Sequence, residues 1–107
     1  MSQEKGLFEL NGNYYTLKFN MHKVEQIEQA LGISFMGEII GSNGVLSFRL
    51  LRHIFAVGLY TKDEKPITGQ KAQEIYEQLL RDIGYANLSA IAVGKIQEDL
   101  AFLFPEN

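Results

Sequence analysis

The residues able to do chemistry in this chain are few and scattered. There are two histidines, His22 and His53, and no cysteine. Neither histidine is followed three or four residues later by a second ligand of the kind a metal needs: Glu25 and Gln26 follow His22, and Ala56 and Val57 follow His53, so no metal site is expected. Glu25 and Glu28 share one turn of a helix and could in principle form a carboxylate pair, but they read as a solvated helix face instead. Arg49, Arg52 and His53 form a small basic cluster. It could meet an acidic partner, or be the wet strip of a helix whose arginine stems cover apolar neighbours. The run Gly41-Ser42-Asn43-Gly44 lacks the Lys-Ser/Thr that completes a phosphate loop and reads as a plain break. No serine sits in a nucleophile elbow, and without cysteine there is no thiolate. No catalytic residue, metal or cofactor is therefore expected, and the chain reads as a non-enzyme.

The elements that would carry these residues are better defined. At 107 residues and 46% apolar composition, the chain is expected to be one globular domain, 1–107. A net charge of −3 argues against non-specific nucleic-acid binding. No apolar run is long enough for a bilayer, and the polar start MSQEKGLFEL carries no signal-peptide core, so a cytoplasmic protein without a membrane partner is expected. Residues 1–6 are expected to be a disordered tail, 7–19 a hairpin and 20–104 a helical body.

The hairpin follows from Leu7 to Leu10 and Tyr14 to Phe19 flanking Asn11-Gly12-Asn13. Tyr15, Leu17 and Phe19 alternate with Tyr14, Thr16 and Lys18, so one face should cover the helices. A lone hairpin is marginal and must lean on the body or on another chain. Asn20 should cap a helix carrying Val24, Ile27 and Leu31, with Gly32 as its stop. A short helix from Ile33 to Ile40 should be capped at Ser34 and interrupted by Gly37. The central segment Ser47 to Tyr60 reads as a helix with almost no polar side: Phe48, Leu51, Phe55 and Leu59 on one face, Leu50, Ile54 and Val57 on the next. Thr61 to Pro66 reads as a charged loop. Thr68 then opens an amphipathic helix with the stripe Ala72, Ile75, Tyr76, Leu79, Leu80 and Ile83, ended by Gly84. The last helix is expected from Leu88 to Phe104, capped by Asn87 and stopped by Pro105. Ile91, Ile96, Leu100 and Leu103 should face inward, with Gly94 marking a close approach of another backbone. The fold class is thus mainly α, an N-terminal β-hairpin followed by a compact bundle of about five helices.

Large apolar residues exceed what so small a core needs, and contiguous exposed patches mark contact sites. The residues expected to form a partner-binding surface are Phe35 and Met36 with the C-terminal Phe102, Leu103 and Phe104.

The order of elements carries a resemblance. Asn11 to Phe19 (NGNYYTLKF) is a Gly-x-Tyr-x-Leu hairpin strand, and Val24 to Gly32 (VEQIEQALG) is a helix end of the form Ile-Glu-x-x-Leu-Gly. A central helix ending Ala56-Val57-Gly58-Leu59, a helix from Ile67-Thr68 to Asp82-Ile83-Gly84 and a final helix to Phe104 follow. Over about residues 8–104 this resembles the small tail assembly chaperones of tailed bacteriophages, prophages and gene transfer agents. The longer acidic loop from Lys62 to Lys65 and the Gly41–Gly44 insert depart from the common pattern. The resemblance implies a non-enzymatic protein of the bacterial host cytoplasm that binds the tape measure protein while tail tube subunits polymerise, and is absent from the mature virion. It also implies self-association as a homo-oligomer, and that the chain is the short form of a pair with a longer frameshifted product. Two other readings stand beside it. A structural tail component, tube or connector, would need more strands than one hairpin. A small DNA-binding regulator would need a basic recognition helix.

Overall fold

The computed structural model describes residues 7–105, so the tail expected over 1–6 lies outside the described residues. The chain starts with two antiparallel strands, β1 (Leu7–Leu10) and β2 (Asn13–Leu17). Their two-residue loop has Asn11 at φ 55° and Gly12 at φ 82°. Positive φ at both central positions is what lets such a loop follow the natural twist of the strands. The hairpin is followed by five α-helices: α1 (Met21–Leu31), α2 (Phe35–Gly41), α3 (Phe48–Gly58), α4 (Gly69–Ile83) and α5 (Tyr85–Asp99). The expected mainly α fold with an N-terminal hairpin is present.

One element is new. Leu59–Thr61 forms a third strand, β3, antiparallel to β2, with Leu17 opposite Leu59 and Tyr15 opposite Thr61. The central helix therefore stops at Gly58 rather than running to Tyr60. Lys18 donates to the Gly58 carbonyl at 2.9 Å, which begins the pairing just where the helical bonds end. The expected charged loop becomes a tight return: Thr61 N–H bonds the Lys65 carbonyl at 2.8 Å, and Ile67 N–H bonds that of Leu59 at 2.9 Å. The hairpin thus leans on its own helical body and gains a partner from it.

Local signals set most helix starts. The side chains of Asn20, Ser34 and Ser47 accept the amides of Lys23, Gly37 and Leu50 respectively. Each removes one of the orphan donors at a helix N-terminus. Gly37 thus does not interrupt α2; its N–H completes the cap, and α2 continues to Gly41. At the far end of α1, Gly32 donates to the Glu28 carbonyl at 2.8 Å.

The last helix departs from expectation. α5 begins at Tyr85, directly after Gly84, so Asn87 is no cap and instead donates to the Ile83 carbonyl at 3.3 Å. It ends at Asp99, where Leu100 leaves helical geometry to bury its side chain, and a 3-10 turn, Ala101–Leu103, follows. Pro105 therefore does not end it. The buried face is Leu88, Ser89, Ala92, Val93 and Ile96; Ile91 is only half-buried. Gly94 faces outward, and a Cβ there would meet nothing within 4 Å, so no backbone approaches it. Gly94→Ala is accordingly expected to raise stability by about 1 kcal/mol, read as a higher urea midpoint with unchanged slope.

The core joins all these elements. Phe8, Leu17, Ile27, Phe35, Leu50, Leu51, Ile54, Phe55, Tyr76, Leu79, Leu88 and Ile96 are all buried in one cluster. Two polar anchors hold the long-range register. Asp99 accepts the Phe19 amide at 2.9 Å and the Lys95 ammonium at 3.2 Å, tying the end of the hairpin to α5. Burial of Lys95 opposes its charge, but its hydrogen bonds to Glu98 and Asp99 outweigh this and hold its pKa above the usual value. Ser89, fully buried, accepts the Leu46 amide at 2.9 Å and so fastens the segment before α3 onto α5.

Candidate functional site

The residues expected to form a contact surface separate on folding. Phe35 is 0% exposed and belongs to the core, against the expectation that it faces a partner. The reason is its position: as the first residue of a short capped helix it points under that helix, and its amide is held by the Glu28 carboxylate at 2.7 Å. Glu28 is therefore committed to joining α1 to α2, and does not pair with the exposed Glu25 as a catalytic couple. Met36 is half-buried against the core. Phe102 is 69% exposed, whereas Leu103 and Phe104 are half-buried and pack against the core.

Phe104 lines a groove with residues that sequence reading did not single out as a surface. Ile39 and Ile40 of α2, Val93 of α5, and Phe104 with Pro105 enclose about 600 Å³ between the end of α2 and the C-terminal turn. Asn43, Gly44 and Gln97 form its polar margin. Ile40 is 51% exposed and stands at the rim. No sequence signal separated Ile39 from Ile40: both are apolar, and a seven-residue helix gives too few turns to define a face. Ile39 went into the core and Ile40 stayed out.

A second exposed aromatic pair lies elsewhere. Phe48, expected on the buried face of the central helix, is 57% exposed and rests against the Tyr85 ring at 6.0 Å. The first residue of α3 precedes the point where α3 enters the bundle, so its side chain covers the junction with α5 instead. The Tyr85 hydroxyl donates to the Leu46 carbonyl.

The basic cluster has a definite place. Arg52 and His53 of α3 face Gly69, Gln73 and Tyr76 of α4 across a narrow cleft of about 250 Å³. Arg52 makes no ion pair among the described residues. The Tyr76 ring packs on Phe55 at 5.2 Å, and its hydroxyl is buried without a hydrogen-bond partner among the described residues. Such an orphan costs about 1–3 kcal/mol. Burial raises the Tyr76 pKa, as does the neighbouring Tyr85, while Arg52 acts the other way. Net, the phenol is held above its ordinary value and stays protonated, a hydrogen-bond donor.

His22 is exposed and lies in a shallow depression on α1 with Glu25, Gln26, Glu28 and Gln29. Among the described residues no cluster of three His, Asp or Glu side chains comes together to hold a metal. Among them, too, no helix is long and apolar enough to cross a membrane. On the outer face of the sheet, Lys18 and Lys23 lie over the Tyr60 ring, and Lys62 lies over Tyr14.

No family model, curated protein or solved structure matches this chain.

Proposed function

We propose that this protein is a non-enzymatic assembly chaperone that holds apolar helical segments of a long client, and that the client is a phage or prophage tape measure protein. The observation that carries the reading is the apolar groove between α2 and the C-terminal turn, with Ile40 at its rim and Phe104 and Pro105 along it. An amphipathic client helix, presenting apolar side chains at every third or fourth position, suits a groove of this kind. Exposed Phe102 lies on the same C-terminal turn as Phe104 and extends the apolar surface. The resemblance in element order to small tail assembly chaperones supplies the class of client. On this reading the chain acts in the bacterial host cytoplasm and self-associates, so that many copies cover one client by avidity. It has tail tube subunits as neighbours during assembly and is left out of the finished particle.

The test is co-expression with a tape measure protein, reading the soluble client fraction. Wild type is expected to solubilise the client and co-purify with it in several copies. Ile40→Ser and Phe102→Ser should abolish this while far-UV circular dichroism stays unchanged, because both side chains are already largely exposed and their loss costs about 0.5 kcal/mol or less. A client that stays insoluble beside wild-type protein would sink the proposal.

A further inference from the structure

Two outward patches of this chain match each other in shape and in charge. The first is a strip at the start of α3. Phe48 projects there, 57% exposed and backed by the Tyr85 ring. Arg49 and Arg52 flank it, both exposed and neither in an ion pair among the described residues. α3 contains no Asp or Glu to neutralise them. An exposed aromatic ring between two unpaired guanidinium groups has the composition of an interface anchor.

The second patch is the outer face of α1. His22, Glu25, Gln26, Glu28 and Gln29 line a depression of about 370 Å³ there. Glu25 is exposed and makes no ion pair among the described residues. Glu28 gives one carboxylate oxygen to the Phe35 amide and keeps the other. α1 has no Lys or Arg after Lys23, and the Lys23 ammonium is drawn toward α3 by the Val57 carbonyl at 2.9 Å. The depression is therefore acidic, and the α3 strip is basic. Within one chain α1 packs on α3 and buries Val24 and Ile27, which turns Glu25 outward, away from the strip.

We propose that Phe48, Arg49 and Arg52 of one copy dock into the α1 depression of a second copy, the ring seated in the hollow and the guanidinium groups paired with Glu25 and Glu28. Exposed ion pairs contribute little by themselves, so the ring supplies the affinity and the charges fix the orientation. The two patches differ, so the contact is heterologous, and its repetition joins copies head to tail. The contact leaves the apolar groove free. It goes beyond the chaperone reading by giving the self-association in that reading a surface.

The experiment is sedimentation velocity of the full chain at rising concentration, in low and in about 1 M sodium chloride, where charges are screened within a few ångströms. Wild type is expected to grow past a dimer at low salt and to dissociate in part at high salt. Phe48→Ser and Glu25→Lys, each at an exposed position, should each weaken association about 10-fold or more with unchanged far-UV circular dichroism. An equimolar mixture of these two variants should form a one-to-one dimer that grows no further, because each supplies the face the other lacks. A wild-type chain that stays monomeric to about 1 mM at low salt would overturn the proposal. So would association that survives both substitutions, or a mixture of variants that fails to pair. Ile40→Ser with Phe102→Ser should associate as wild type does; loss there would move self-association to the groove and overturn this contact, whereas a client left insoluble by associating wild type counts against the chaperone reading alone. Amide NMR of a wild-type dilution series needs no variant: signals of residues 22–29 and 48–52 should move together with concentration, and movement confined to other residues would refute the docking.

Discussion

Phe55→Ala is expected to remove about 3–5 kcal/mol of folding free energy, the range for deleting a fully buried phenylalanine. Phe55 is 0% exposed, and its ring lies between Phe8 of β1, centroid 5.7 Å away, and Tyr76 of α4, at 5.2 Å. It is where sheet, central helix and surface helix meet, so the space it leaves cannot collapse without moving all three. A domain of this size has about 5–15 kcal/mol in total. The variant should therefore unfold at a much lower urea concentration, read by far-UV circular dichroism. A loss of less than about 1 kcal/mol would mean that the ring does not join these layers.

Gly58→Ala is expected to cost about 1–3 kcal/mol, the range for overpacking. In an ordinary helix the same change would gain about 1 kcal/mol, as argued for Gly94. The sign reverses because a Cβ on Gly58 would lie 2.6 Å from Cζ of Phe19 and 2.9 Å from Cε1. The Phe19 ring cannot simply slide away: the Phe19 amide is held by Asp99 at 2.9 Å, and the amide before it by the Gly58 carbonyl, also at 2.9 Å. Phe19→Leu should recover part of the loss when combined with Gly58→Ala, giving a favourable coupling in a double-mutant cycle. Additive losses would show that the two residues do not share this contact.

Much of the candidate surface was legible only in outline. An excess of apolar residues near the C-terminus could be read from Phe102, Leu103 and Phe104, and these do lie at or near the surface. Which residues of α2 join them could not be read, because Phe35, Met36, Ile39 and Ile40 are all apolar and a seven-residue helix gives too few turns to define a face. Folding buried Phe35 and left Ile40 out. The cleft between α3 and α4 had a trace in the sequence, the cluster Arg49, Arg52 and His53, but its other half includes Tyr76, which belongs to a stripe that reads as pure core.

What the sequence determined by itself is the set of features decided within a few residues. The Asn-Gly hairpin loop, the caps at Asn20, Ser34 and Ser47, the stops at Gly32 and Gly84, and the one-sided stripe of α4 all depend on neighbours one to four positions away. What only the tertiary structure decided are the outcomes set by distant partners. Helix α3 stops at Gly58 because the Phe19 ring fills the space beside it and β2 offers Leu59 a strand to pair with. Leu100 ends α5 by entering a core assembled from the whole chain. Tyr76 keeps an unpartnered hydroxyl because α3 closes over it. Backbone propensity cannot see these contacts, since each joins segments brought together only when apolar burial outweighs the chain entropy of closing the long loops between them.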